Sequence, residues 1–129
     1  MKNKNPQNAE GTTPLHMAAY AGHLEICKFI VANIEEKNPT DIFGETPLHA
    51  AADAGHLATY KIIMAEVEDK NPQDYDGITP LKLAVCHGHL GVCQLIVKHV
   101  ATDPIDQTWV IPCYFRTLVN KIRISLKGN

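Results

Sequence analysis

Residues 13–31 read TPLHMAAYAGHLEICKFIV, and the string returns as TPLHAAADAGHLATYKIIM at 46–64 and TPLKLAVCHGHLGVCQLIV at 79–97. The three copies are 33 residues apart. Thr13, Thr46 and Thr79 each stand directly before a proline, Pro14, Pro47 and Pro80. Threonine caps a helix N-terminus, and proline suits the first helical position because its missing N–H would be unbonded there. The spacing therefore predicts three helix starts. Gly22, Gly55 and Gly88 follow about two turns later, where a left-handed residue closes a last turn without a Cβ penalty. A second helix begins after each glycine, at Leu24, Leu57 and Leu90. In the first copy its apolar residues are Leu24, Cys27, Ile30, Val31 and Ile34, a helical stripe and not a strand alternation.

Working outward, the copies start at Lys-Asn-Pro and divide the chain into 4–36, 37–69 and 70–102, with residues 1–3 as a lead and 103–129 as a remainder. Aligned this way, the first and second copies agree at 18 of 33 positions, the second and third at 14. A period of this length signals a stacked array whose units cannot bury an apolar face alone. Between copies, NPQNAEG, NPTDIFG and NPQDYDG cluster Pro, Asn, Asp and Gly, an extended approach into a tight turn. The first helices offer small residues, HMAAYA and HAAADA, that let neighbouring backbones come close.

A turn, two short antiparallel helices and T-P-L-H resemble the ankyrin repeat family over about 99 of the 129 residues. GTTPLHMAAYAGHLEI and GETPLHAAADAGHLAT fit its core motif almost completely, and GITPLKLAVCHGHLGV fits less well. The resemblance implies an all-α solenoid of L-shaped helix–turn–helix units with projecting β-turn fingers, and an irregular C-terminal tail. It also implies that the T-P-L-H histidine braces threonine hydroxyls, so Lys82 in its place predicts a looser third unit. Second helices of the family often end in Gly-Ala-Asp. Here IEE, VED and VAT stand instead, and Ile34, Val67 and Val100 are expected to tuck under the next unit. Asn38 and Asn71 occupy a position that the family exposes to asparaginyl hydroxylation, although Pro39 and Pro72 follow them.

The repetition fails near the end. DPID at 103–106 echoes NPTD one residue early, and Trp109 then takes the glycine's place. All 14 acidic residues and eight of the 12 basic ones lie in residues 1–106, a net of −6. Arg116, Lys121, Arg123 and Lys127 give the remainder +4. Two readings stay open. Phe115, Leu118, Val119, Ile122 and Leu126 fit one helix face, as a cap would need, or the segment is unrelated sequence after a truncated array. The first copy keeps its full apolar stripe, which points to a piece of a longer array or to ends covered by a partner.

Composition and motifs narrow the function. Net charge is −2, with 45% hydrophobic and 20% charged residues, which gives no general attraction to nucleic acid. The four cations of the tail are too few for the broad basic face that specific binding needs. No apolar run is long enough to span a membrane, and MKNKNPQNAE shows no signal-peptide core. Four cysteines read as buried thiols in a reducing compartment, so an intracellular, cytoplasmic setting is expected. His23, His56 and His89 recur at one position, and His16 and His49 at another, so the repeat accounts for them. No paired C-x-x-C zinc pattern, P-loop, dinucleotide fingerprint or nucleophile elbow is present. The expectation is a non-enzymatic module with no cofactor, no metal and no small-molecule substrate.

The remaining class is binding of another protein. Contact residues are expected where the repeat is free to vary: Glu10 and Tyr20 in the first copy, Ile42, Phe43, Glu45 and Asp53 in the second, and Tyr75, Asp76, Ile78 and His87 in the third, with Cys86 beside it. Aromatic anchors with an acidic rim suit such a surface. The alternative is a structural segment of a longer ankyrin scaffold that touches only neighbouring repeats.

Overall fold

The structure, a computed structural model, describes residues 5–99, in which six helices follow one another without a strand. They are α1 (Pro14–Ala21), α2 (Leu24–Asn33), α3 (Pro47–Ala54), α4 (Leu57–Met64), α5 (Pro80–Cys86) and α6 (Leu90–His99). The expected tail, Val100 and the lead at 1–3 lie outside the described residues.

Each first helix starts as its sequence demands. Thr13, Thr46 and Thr79 are extended N-caps whose hydroxyls accept the N–H of the residue three on. Gly22 and Gly55 end α1 and α3 in the left-handed region, at φ 76° and 81°. α5 stops one residue sooner, with His87 as its C-cap and Gly88 left-handed after it. The second helices lack a glycine stop, and a lysine replaces it. Lys37 Nζ donates to the Val31 and Ile34 carbonyls at 2.7 and 2.6 Å. Lys70 Nζ does the same for Met64 and Val67, at 3.0 and 2.8 Å. A cation bonded to the last carbonyls satisfies orphan acceptors and complements the helix dipole. The lysines of the second and third Lys-Asn-Pro, Lys37 and Lys70, thus close the helix of the unit before them.

First helices pack on first helices and second on second, α1 beside α3 beside α5 and α2 beside α4 beside α6. Small residues permit the tight first-helix layer: Ala18, Ala19, Ala51, Ala52 and Ala84 are all buried. Leu15, Leu48 and Leu81 fill the space beneath, with Cys27, Tyr60 and Cys93 sharing one second-helix position at 0% exposure. Tyr60 is the odd member, and its phenol donates to the Lys70 carbonyl at 2.6 Å. Ile34 and Val67 pack partly buried against this core, as the apolar ends of the second helices predict.

The histidine of T-P-L-H ties adjacent units together. Thr13 N–H donates to His16 Nδ1 at 3.2 Å, and His16 N–H returns a bond to the Thr13 hydroxyl. A backbone N–H can only donate, so Nδ1 is the bare nitrogen and Nε2 carries the proton. Nε2 donates to the Glu45 carbonyl of the next unit at 2.8 Å. His49 repeats the arrangement with Thr46 and with the Ile78 carbonyl, also at 2.8 Å. Burial holds both imidazoles below their ordinary pKa of 6.5, against the raising effect of those carbonyls. At the third position Lys82 keeps the backbone cap to Thr79, while its Nζ turns to the Gly77 carbonyl at 3.3 Å.

Candidate functional site

The three turns form a row of fingers because each is built on the same side-chain contact, made by an asparagine or an aspartate. Asn8, Asp41 and Asp74 each use one Oδ1 to accept two backbone N–H groups, those two and four residues on, at 2.8–3.0 Å. Short polar side chains favour this local bonding. The fingers are joined in sequence by one backbone bond each. Ile42 N–H donates to the Glu10 carbonyl and Tyr75 N–H to the Phe43 carbonyl, both at 3.0 Å. Residues that the sequence leaves free to vary therefore sit on a braced edge.

At the tips, Glu10, Ile42, Phe43, Tyr75 and Asp76 are all exposed, with Ile42 at 55%, Phe43 at 56% and Tyr75 at 73%. The Tyr75 ring also lies against the preceding finger, where a Cβ on Gly44 would come within 2.6 Å of it. Tyr20 is 57% exposed at the end of α1. Three expected contact residues sit deeper, Asp53 on α3 and two on the fingers. Ile78 is half-buried, and its carbonyl is taken by His49. Glu45 is half-buried too, and burial followed by the charges of Asp41, Asp74 and Asp53 pushes its carboxyl above the ordinary value of 4.5.

Asp53 and His87 meet across adjacent units, Oδ1 to Nε2 at 2.6 Å. His89 Nε2 donates to the Asp53 carbonyl at 3.0 Å, with the two imidazoles 6.0 Å apart. His87 thus belongs to an inter-unit contact at the end of the first helices, while Cys86 beside it is exposed. Among the described residues no group of three or more His, Cys, Asp or Glu could hold a metal ion. No described helix is long and apolar enough to cross a membrane.

Tyr20 and Glu45 share an open groove of about 350 Å³ between α1 and α3, with Met17, Asp41, Thr46 and Ala50. Met17 and Asp41 were not expected there. Met17 is 62% exposed in a segment whose neighbours read as close-packing alanines, and Asp41 reads as a turn former. The signal for both lies between units, since a groove wall on α1 faces the finger of the following copy. A second notch of about 230 Å³ lies around Glu35, Glu36, Lys37, Glu66, Glu68 and Asp69, where the second helices give way to the next unit. Asn38 and Asn71 are half-buried beside these turns, and Asn71 Oδ1 accepts the Leu81 N–H at 3.0 Å.

None of the curated proteins matches the chain. A family model described as ankyrin repeats, in three copies, matches residues 1–74 and again 31–108. Those spans cover most of the 129 residues, and the capped helix pairs, histidine ties and fingers within them repeat in register. The chain belongs to the ankyrin repeat family.

Proposed function

We propose that the chain is a protein-interaction module that grips its partner with the finger tips and the adjoining face of the first helices. Ankyrin repeats are in general protein–protein interaction modules, and one observation supports this particular face. Ile42, Phe43, Tyr75 and Tyr20 are each more than half exposed; the first three stand on turns whose backbones are already bonded to one another, and Tyr20 on the end of α1. Presenting large apolar groups from a rigid frame spares the entropy of ordering them on binding. The acids Glu10, Asp53 and Asp76, together with His87, rim the anchors and would favour orientation and encounter rate.

A photo-reactive side chain in place of Phe43 tests the reading. Illumination in cells is expected to give a covalent adduct with another protein, and the same group at Lys61, on α4, is expected to give none. Ile42→Ser with Phe43→Ser should abolish the adduct formed from Tyr20 while the helical circular-dichroism signal is unchanged. These two are better choices than Tyr75, whose ring supports the neighbouring finger.

The scaffold reading has an observation of its own. Ile26 and Phe29 on α2 are 51% and 69% exposed, whereas at the matching positions of α4 and α6 Thr59, Val92 and Leu95 are 2%, 1% and 7% exposed and Ile62 is half-buried. In each of those units the second helix of the unit before lies alongside. Adducts formed from Phe29 and never from Phe43 would favour a scaffold segment over a partner-binding face.

A further inference from the structure

The groove between α1 and α3 combines apolar walls with an acid that has no ion-pair partner among the described residues. Met17 and Tyr20 are 62% and 57% exposed, and Ala50 faces the same space. The Glu45 backbone is fully engaged, its N–H with Asp41 Oδ1 and its carbonyl with His16. Its side-chain carboxylate takes no hydrogen bond and no ion pair among the described residues. Among the described residues, the charges that act on it are other carboxylates, those of Asp41, Asp74 and Asp53. His87, the imidazole at the end of the first helices, is held by Asp53. A half-buried carboxylate facing like charge is a poor arrangement for the free protein, and a cation placed in the groove beside Glu45 and Asp41 would relieve it.

We propose that this groove receives one basic side chain, lysine or arginine, from an apolar-flanked extended segment of the partner protein. The alkyl stem lies along Met17, Tyr20 and Ala50, as long cationic side chains do on apolar surface. The charged head reaches Glu45 and the outer edge of Asp41, and the Tyr20 ring offers it a π face. Size agrees with this occupant. About 350 Å³ is room for a long side chain and its immediate backbone. The notch around Glu35 and Glu66 is also acidic, yet it carries its own cation, Lys37, and lacks an aromatic wall.

This assignment rests on the finger and first-helix face being the partner surface, and the test separates the two. The full 129-residue chain, labelled with ¹⁵N, is titrated with acetyl-Leu-Arg-Leu-amide and, separately, acetyl-Leu-Gln-Leu-amide. The arginine peptide is expected to shift the amide signals of Met17, Tyr20, Glu45 and Ala50 and to bind about tenfold more tightly than the glutamine peptide. Glu45→Gln should weaken the arginine peptide about fivefold and leave the glutamine peptide unchanged; its dispersed spectrum reports that the fold is intact. Raising sodium chloride to about 0.5 M should weaken the arginine peptide alone.

Equal binding of the two peptides would overturn the proposal, as would shifts confined to residues 35–38 and 66–69. Movement of the Tyr20 and Glu45 signals by salt alone, without peptide, would also overturn it, because the chain's own basic end would then be the occupant. If adducts from Phe43 persist while the arginine peptide fails, only the groove assignment falls. If both fail, the interaction reading falls with it.

Discussion

The first two units hold their successor with a buried histidine, and the third has a lysine at that place. His49 is fully buried, bonded to Thr46 on one side and to the Ile78 carbonyl on the other. Lys82 keeps the cap of its own helix but sends its Nζ back to its own finger. The two tasks of the T-P-L-H histidine are therefore separable. Capping is local and survives substitution, because the threonine hydroxyl and the backbone perform it. Joining is non-local and needs a ring with an acceptor on one edge and a donor on the other.

The largest expected effect comes from removing a joint outright. His49→Ala leaves the Thr46 N–H and the Ile78 carbonyl without their partner and opens a cavity, at a cost of about 3 kcal/mol. Urea unfolding should show this as a lowered midpoint, and a loss under 1 kcal/mol would mean the ring only fills space. Glycine substitutions sharpen the same contrast. An alanine at Gly55 would meet the His89 ring at 2.5 Å as well as the strain of φ +81°, while at Gly88 none of the described residues lies within 4 Å. Gly55→Ala should cost about 2–3 kcal/mol and Gly88→Ala about 1 kcal/mol, the conformational part alone.

Acid should act on the joined units specifically. Because burial depresses His16 and His49, the unfolded chain takes up protons first. Their stabilising contribution is fully present above about pH 6.5 and is lost as pH falls below it. Glu45 works oppositely, its raised carboxyl costing stability at neutral pH and relieving that cost as pH falls toward 4.5. Thermal melts of the wild type should lose midpoint between pH 7 and 5.5, and His16→Gln with His49→Gln should flatten that dependence. The smallest effect belongs to Lys82→His. With its cap already intact, the change should move stability by no more than about 0.5 kcal/mol. A gain well above that would show a joint waiting at the third position.

Much of this architecture was legible before any coordinates. Thr-Pro starts, glycine ends and the stripe through Cys27, Ile30 and Val31 are local signals, and each appears where the spacing places it. The finger tips at Ile42, Phe43 and Tyr75 followed from variability at turns. What stayed hidden depends on the offset between units. The recurring lysine of Lys-Asn-Pro is plain in the sequence, but that Lys37 and Lys70 close the preceding helix needs the chain's return path. Met17 and Asp41 join one groove only when α1 is laid beside the next finger. His87 looked like a free contact residue, and the Asp53 carboxylate that holds it comes from the unit before.

The cysteines add a consequence of a different kind. Cys27 and Cys93 sit in the same core position at the two ends of the described stack, both at 0% exposure. Burial raises the thiol of Cys27 and pushes that of Cys93 up to about 12, so neither reacts while its unit is closed. Exposed Cys86 reacts at once and serves as an internal clock. Alkylation followed peptide by peptide would then time the fraying of each end separately, in the unmodified protein and with no dye attached.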